Sequence, residues 1–173
     1  MVILNAFHLP GPSIMFIERV CVATDGSDIA VQAAQMGALL ARAGAGRMVA
    51  VSVAQPHFSM PDSGAAVPDT RAEFLRAHEA ARAHVETVRR IADAAGVSCE
   101  WATPLSSVPG PEIVRIAEEQ GCDLIVMGTH GPNDANRLFA GSVAQYVLAN
   151  STVPVLLLRV PREASRPEFG EFP

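Results

Sequence analysis

Leu124-Ile125-Val126-Met127-Gly128-Thr129-His130-Gly131 is an apolar run that breaks straight into glycine, and nine residues later Gly141-Ser142 opens another stretch. Four large apolar residues in a row read as a strand covered on both faces, as in a parallel sheet. Glycines directly after such a strand let backbone N–H groups approach a phosphate with no side chain in between. A helix beginning at Gly141-Ser142 turns its first amides and its dipole toward an anion, and the Ser142 hydroxyl adds a donor. Taken singly, these glycines also read as a tight strand exit and a helix start. Together, in the spacing G-x2-G-x9-G-[ST] between a buried strand and a helix, they point to phosphate.

Working outward, the rest of the chain alternates strand and helix. Residues 17–23 read as a first strand, ended by Thr24-Asp25-Gly26, and Ser27 is a good N-cap for a helix with an apolar stripe of Ile29, Ala33, Met36 and Leu40. Gly44 and Gly46 are expected to stop it. Residues 48–54 form a second strand, and 55–69 a proline- and glycine-containing loop. A long helix follows, with Phe74, Ala77, Ala81, Val85, Val88, Ala92 and Ala95 inward, and Gly96 ends it. Residues 97–102 read as a more polar edge strand, and Pro111 suits the first turn of a third helix that Gly121 terminates. After the 124–127 strand, a last helix runs from Gly141-Ser142 to Thr152, and residues 153–160 make a fifth strand. Five strands separated by helices imply βαβ units in a doubly wound α/β fold, with helices on both faces of a parallel sheet. Ligands in such folds settle beyond the carboxyl ends of the strands where strand order reverses. Periodicity leaves open which strand pair makes that switch.

Composition narrows the chemistry. The 173 residues suit one domain, and apolar residues at 49% against 18% charged ones exclude wholesale disorder. Thirteen basic against 18 acidic residues give a net charge of −5, so there is no overall pull toward nucleic acid. All the basic residues are Arg, and with no Lys there is no Walker-type P-loop and no Schiff-base lysine. Cys21, Cys99 and Cys122 are scattered without a CxxC pair, as expected of reduced thiols in a cytoplasmic protein. No stretch has the roughly 20 apolar residues of a membrane span. His78, Glu79 and His84 do not have the HExxH spacing, so no metal site is expected, and the Arg and Glu residues between 71 and 90 read as a solvated helix face.

The chain resembles the universal stress protein family, and its nucleotide-binding members in particular. The resemblance lies in Ala23-Thr24-Asp25-Gly26-Ser27, in Glu112-Ile113-Val114-Arg115-Ile116-Ala117, in Cys122 to Gly131, in Gly141-Ser142-Val143-Ala144 and in Val153-Pro154-Val155-Leu156. It covers residues 17–160 as one domain, leaving 1–16 as a loose N-terminal extension, with Met15 a second candidate start, and 161–173 as a tail. It implies a Rossmann-like sheet in the order 3-2-1-4-5 with the switch between strands one and four, which sets Asp25 beside Gly128. It further implies ATP or a related adenine nucleotide as ligand, with Mg2+ accompanying the triphosphate. The binding residues it implies are Ala23, Thr24, Asp25, Val53, Met127, Gly128, His130, Gly131, Gly141, Ser142 and Val143. In relatives the position of Asp25 contacts the nucleoside near its ribose, that of Val53 reads adenine through its backbone, and the glycine loop with Ser142 holds phosphates. Two departures stand out. Pro132-Asn133-Asp134 occupies a place where many relatives have a basic residue, and Ser107 stands where the family usually has Gly.

Arg137, six residues past Gly131, is within reach of a terminal phosphate or of a salt bridge. His130 in the loop also reads as local packing. No nucleophile–base couple or carboxylate pair stands near the glycines, so no catalytic residue is expected. Three functions stay open: nucleotide-dependent partner interaction in stress response, a nucleotide-independent interaction protein, and a slow ATPase. The apolar strand Val153 to Leu158 would be a sheet edge in the implied order, and pairing of such edges predicts a homodimer.

Overall fold

The computed structural model describes residues 17–56, 70–129 and 140–159. The loop at 57–69, the glycine-loop residues 130–139 and both terminal segments lie outside the described residues. The elements are β1 (Arg19–Ala23), α1 (Asp28–Ala43), β2 (Arg47–Val51), α2 (Thr70–Ala94), β3 (Cys99–Ala102), α3 (Pro109–Glu119), β4 (Leu124–Gly128), α4 (Ser142–Asn150) and β5 (Val155–Leu158). All strand pairs are parallel and the order is β3-β2-β1-β4-β5, as expected. Alternation along the strands divides the core in two. Val20, Val22, Met48, Ala50 and Val126 pack with α1 and α2, and Cys21, Val49, Val51, Ile125 and Met127 pack with α3 and α4.

Several boundaries differ from the sequence reading. β2 stops at Val51 because β1 ends opposite it at Ala23, and Thr24 N–H closes the pairing on Val51 O at 2.9 Å. Beyond that point the chain follows the other neighbour: Ser52 N–H donates to Ala102 O at 3.1 Å and Ala54 N–H to Pro104 O at 2.7 Å. Val97 lies in the connection between α2 and β3 rather than in β3, tied back to the helix by its N–H, which donates to Ala92 O at 2.9 Å. α1 ends as expected at Gly44, its C-cap, and Gly46 N–H closes the last turn on Ala41 O at 2.8 Å, but the left-handed residue between them is Ala45, at φ 52. Gly44 and Gly46 pass so close to the carbonyls of Ile17 and Glu18 that a side chain would strike backbone.

Two expected core residues are not core. Met36 is 38% exposed, because the buried face of α1 runs through the small residues Ala30, Ala33, Ala34, Gly37, Ala38 and Ala41, with Ile29 at its start. A β-carbon at Gly37 would stand 2.6 Å from Val22 Cγ2, so the helix lies directly on the sheet. Phe74 is 39% exposed, since the buried positions of α2 begin only at Ala81. Cys21 and Cys122, distant in sequence, share a hydrogen bond in the core that faces α3 and α4; that bond, and then burial, hold the Cys21 thiol protonated. Burial pushes the Cys99 thiol up to about 11. No helix among the described residues is long and apolar enough to cross a membrane.

Candidate functional site

The unequal strand ends leave a cavity of about 550 Å³ at the carboxyl edge of β1, β2 and β4. That volume is within the roughly 300–1,000 Å³ of small-ligand pockets. It sits at the switch point, where the chain leaves β1 and β4 in opposite directions across the sheet. Ala23, Thr24 and Asp25 line it from the exit of β1, and Val53 from beyond β2. Met127 and Gly128 line it from β4, and Gly141, Ser142 and Val143 from the start of α4. Nine sequence-predicted residues thus share one cavity, whereas His130, Gly131, Asp134 and Arg137 lie outside the described residues.

Each wall offers a defined set of polar groups. Ser52 and Ala54 turn their amides to the 102–104 segment, so Val53 turns its N–H and C=O the other way, where β1 has already ended. Neither Val53 group has a partner among the described residues. Asp25 Oδ1 accepts from Ser27 N–H at 3.0 Å and from Ser27 Oγ–H at 2.6 Å, which shapes the turn into α1. The second oxygen of Asp25 has no partner among the described residues. Gly141 N–H donates to Thr129 O at 2.6 Å and ties the start of α4 to the exit of β4. The first helical bond of α4 comes from Gln145, and Gly141 provides no side-chain cap. The amides of Ser142, Val143 and Ala144 are therefore unbonded among the described residues, as an anion-binding helix start requires.

Gly128 has a different reason to be glycine. A β-carbon there would stand 2.7 Å from Ile29 Cγ2, so its bare α-carbon admits α1 against β4 rather than a ligand.

A family model described as the Universal stress protein family matches residues 17–159. The chain belongs to the universal stress protein family. Universal stress protein MJ0531 of Methanocaldococcus jannaschii is 31% identical to it over 163 residues, 93% of this chain and 92% of that one. Among solved structures, protein MJ0577, from the same organism, has a TM-score of 0.70 at 21% identity, with 85% of this chain and 99% of that one covered. A universal stress protein in complex with cAMP has a TM-score of 0.60 at 23% identity, covering 84% and 98%. The universal stress protein from Archaeoglobus fulgidus in complex with dAMP has 0.56 at 22%, covering 84% and 100%. These structures share the Rossmann-like fold of this universal stress protein.

The sequence reading missed two groups in the cavity wall of this universal stress protein. Ser52 Oγ and His84 Nδ1 stand 3.2 Å apart, and both line the cavity. The ring edge of His84 lies over Gly26, whose φ of +78 and missing side chain make room for it, with Nε2 2.6 Å from where a β-carbon would be. The pair is a Ser–His couple near the glycines, contrary to expectation, yet Ser52 is 2% exposed and too enclosed to attack a substrate. The available signal was spacing: His84 follows Ala81 by three and precedes Val88 by four, a polar residue on an apolar stripe. Glu73 and Arg76, paired at 2.9 Å, form the outer rim. Among the described residues no group of three or more His, Cys, Asp or Glu side chains is arranged to hold a metal ion.

Proposed function

We propose that this universal stress protein is a cytoplasmic adenine-nucleotide-binding protein that alters its partner interactions in stress response according to the nucleotide it holds. The observation that carries the reading is the unpaired Val53 backbone edge, facing a cavity whose other walls present an Asp25 oxygen and the free amides of α4. A purine edge offers the donor and acceptor that a lone N–H and C=O complement, a ribose offers hydroxyls to a carboxylate, and phosphates suit a helix start. The cAMP and dAMP held by relatives of the same fold support an adenine ligand. ATP is the ligand we favour, with Mg2+ bound through the triphosphate oxygens rather than by a protein cage. The edge position of β5, with half-buried Val155 to Leu158, supports assembly as a homodimer through that strand. A clean monomer in light scattering at micromolar concentration would remove the dimer from the reading.

The test is thermal stabilisation by ATP, ADP, AMP and adenosine, with and without Mg2+. Ligand at 100 times its Kd stabilises the fold by about 2.7 kcal/mol, a rise in Tm of roughly 5–10 °C for a domain of this size. Ser142→Ala is expected to weaken nucleotide binding by about 1 kcal/mol, one neutral hydrogen bond, while the unliganded melt stays put. If no adenine compound at millimolar concentration shifts the melt, the nucleotide reading fails and a nucleotide-independent interaction protein replaces it.

A further inference from the structure

We propose that His84 is a positioning residue that makes this cavity proton-sensitive: a nucleoside is seated only while the imidazole is neutral. The inference rests on the nucleotide reading and adds to it a regulation that the glycine motif does not contain. His84 is wedged between two loops that form the cavity wall, bonded through Nδ1 to Ser52 beyond β2 and packed by its other edge on Gly26 in the turn after Asp25. With the proton on Nε2, the neutral ring accepts the Ser52 hydroxyl at Nδ1. A second proton puts hydrogen on both nitrogens, so the Ser52 hydroxyl must turn round and a cation stands beside the Asp25 turn.

The charges facing the ring fix the direction of the effect. Among the described residues lining the cavity, the charged groups are Asp25 from the β1 exit, and Glu73 and Arg76, which pair with each other on α2. β2, β4 and the start of α4 bring no charged side chain to the cavity. Burial already lowers the pKa of His84, and Asp25 alone among these opposes that shift. A bound nucleoside strips the remaining water from the half-buried ring and engages the Asp25 carboxylate with its hydroxyls. Both changes disfavour the imidazolium. Seating the ligand therefore expels a proton, and acid weakens binding.

Adenosine is the probe, because it carries neither phosphate charge nor a group that titrates in this range. Calorimetry on the full chain from pH 8 to 5 is expected to show a constant Kd at high pH. Below the pKa of free His84, Kd then rises by about tenfold per pH unit. His84→Asn keeps a polar partner for Ser52 and cannot ionise, so its profile is expected to be flat whatever its absolute affinity. The His84 ring resonance of the wild-type protein, titrated by NMR, is expected to ionise at lower pH with saturating adenosine than without. That measurement decides the matter if the Asn variant does not fold. A flat wild-type profile, the same slope in His84→Asn, or an unchanged or raised His84 pKa in the complex overturns the proposal alone. Failure of adenosine and ATP to bind at every pH overturns it together with the nucleotide reading.

Discussion

Replacing Gly128 with alanine puts a methyl carbon 2.7 Å from Ile29 Cγ2 and 3.2 Å from its Cγ1. Carbon atoms attract best at about 3.5–4.0 Å, so one side must move by close to an ångström. Ile29 cannot swing clear cheaply: it is 6% exposed in the first turn of α1 and, being β-branched, is stiff at χ1. Overpacking of this kind costs about 1–3 kcal/mol, hence a fall in Tm of roughly 2–12 °C without any ligand. Were Gly128 needed only for phosphate approach, the substitution would spare the empty protein and reduce nucleotide affinity alone. Ile29→Ala removes both clashing carbons at a cost of about 2–5 kcal/mol by itself, and the new methyl at 128 then occupies part of the space. The double variant should therefore be less destabilised than the sum of the single ones, by about 1 kcal/mol or more. Ile29→Val retains Cγ2 and should give no such relief. Urea unfolding of the four proteins measures the coupling. A Gly128→Ala protein as stable as wild type, or strictly additive costs, would refute the packing account.

Two further perturbations follow from contacts far from the cavity. Asp123 Oδ2 accepts the backbone N–H groups of Glu18 and Arg19, each at 2.8 Å, and so fixes the start of β1 to the start of β4; Asp123→Ala should cost about 1–3 kcal/mol in urea unfolding, with Asn recovering part, and an unchanged midpoint would count against this latch. Because burial holds the Cys99 pKa at about 11 against an ordinary 9.0, the thiol stays protonated where the unfolded chain would ionise it. Its alkylation by iodoacetamide should keep accelerating with pH up to about 11, and the fold should lose stability as pH rises from 9.0 toward that value; a labelling rate that levels off near 9.0 would contradict the assignment.

The order of elements was legible because each strand is a short apolar run and each helix carries a three-to-four-residue apolar repeat. The strand order followed from family resemblance, which carried what periodicity could not. Errors fell where a partner decides the outcome. The residues 52–54 look like strand, but β1 ends opposite Val51 and they pair outward with 102–106 instead. Met36 and Phe74 are apolar at helical spacing, yet α1 meets the sheet through its smallest residues, and α2 is buried only from Ala81 onward. Neither the width of a helix contact nor the point where a long helix passes beyond the sheet is written in its own residues.

The cavity sharpens the same point, because what opens it is a mismatch between neighbouring strands. β1 turns away at Asp25 while the chain after β2 continues extended along β3, and that step exposes one peptide edge, at Val53. The turn that creates the step also starts α1, through Asp25 and Ser27, and receives the His84 ring over Gly26. One oxygen of Asp25 holds the helix start while the other has no partner among the described residues, and the residue also lines the cavity. Its replacement by Ala should therefore cost unliganded stability as well as affinity, whereas Ser142→Ala touches affinity alone, since Gly141 rather than Ser142 caps α4.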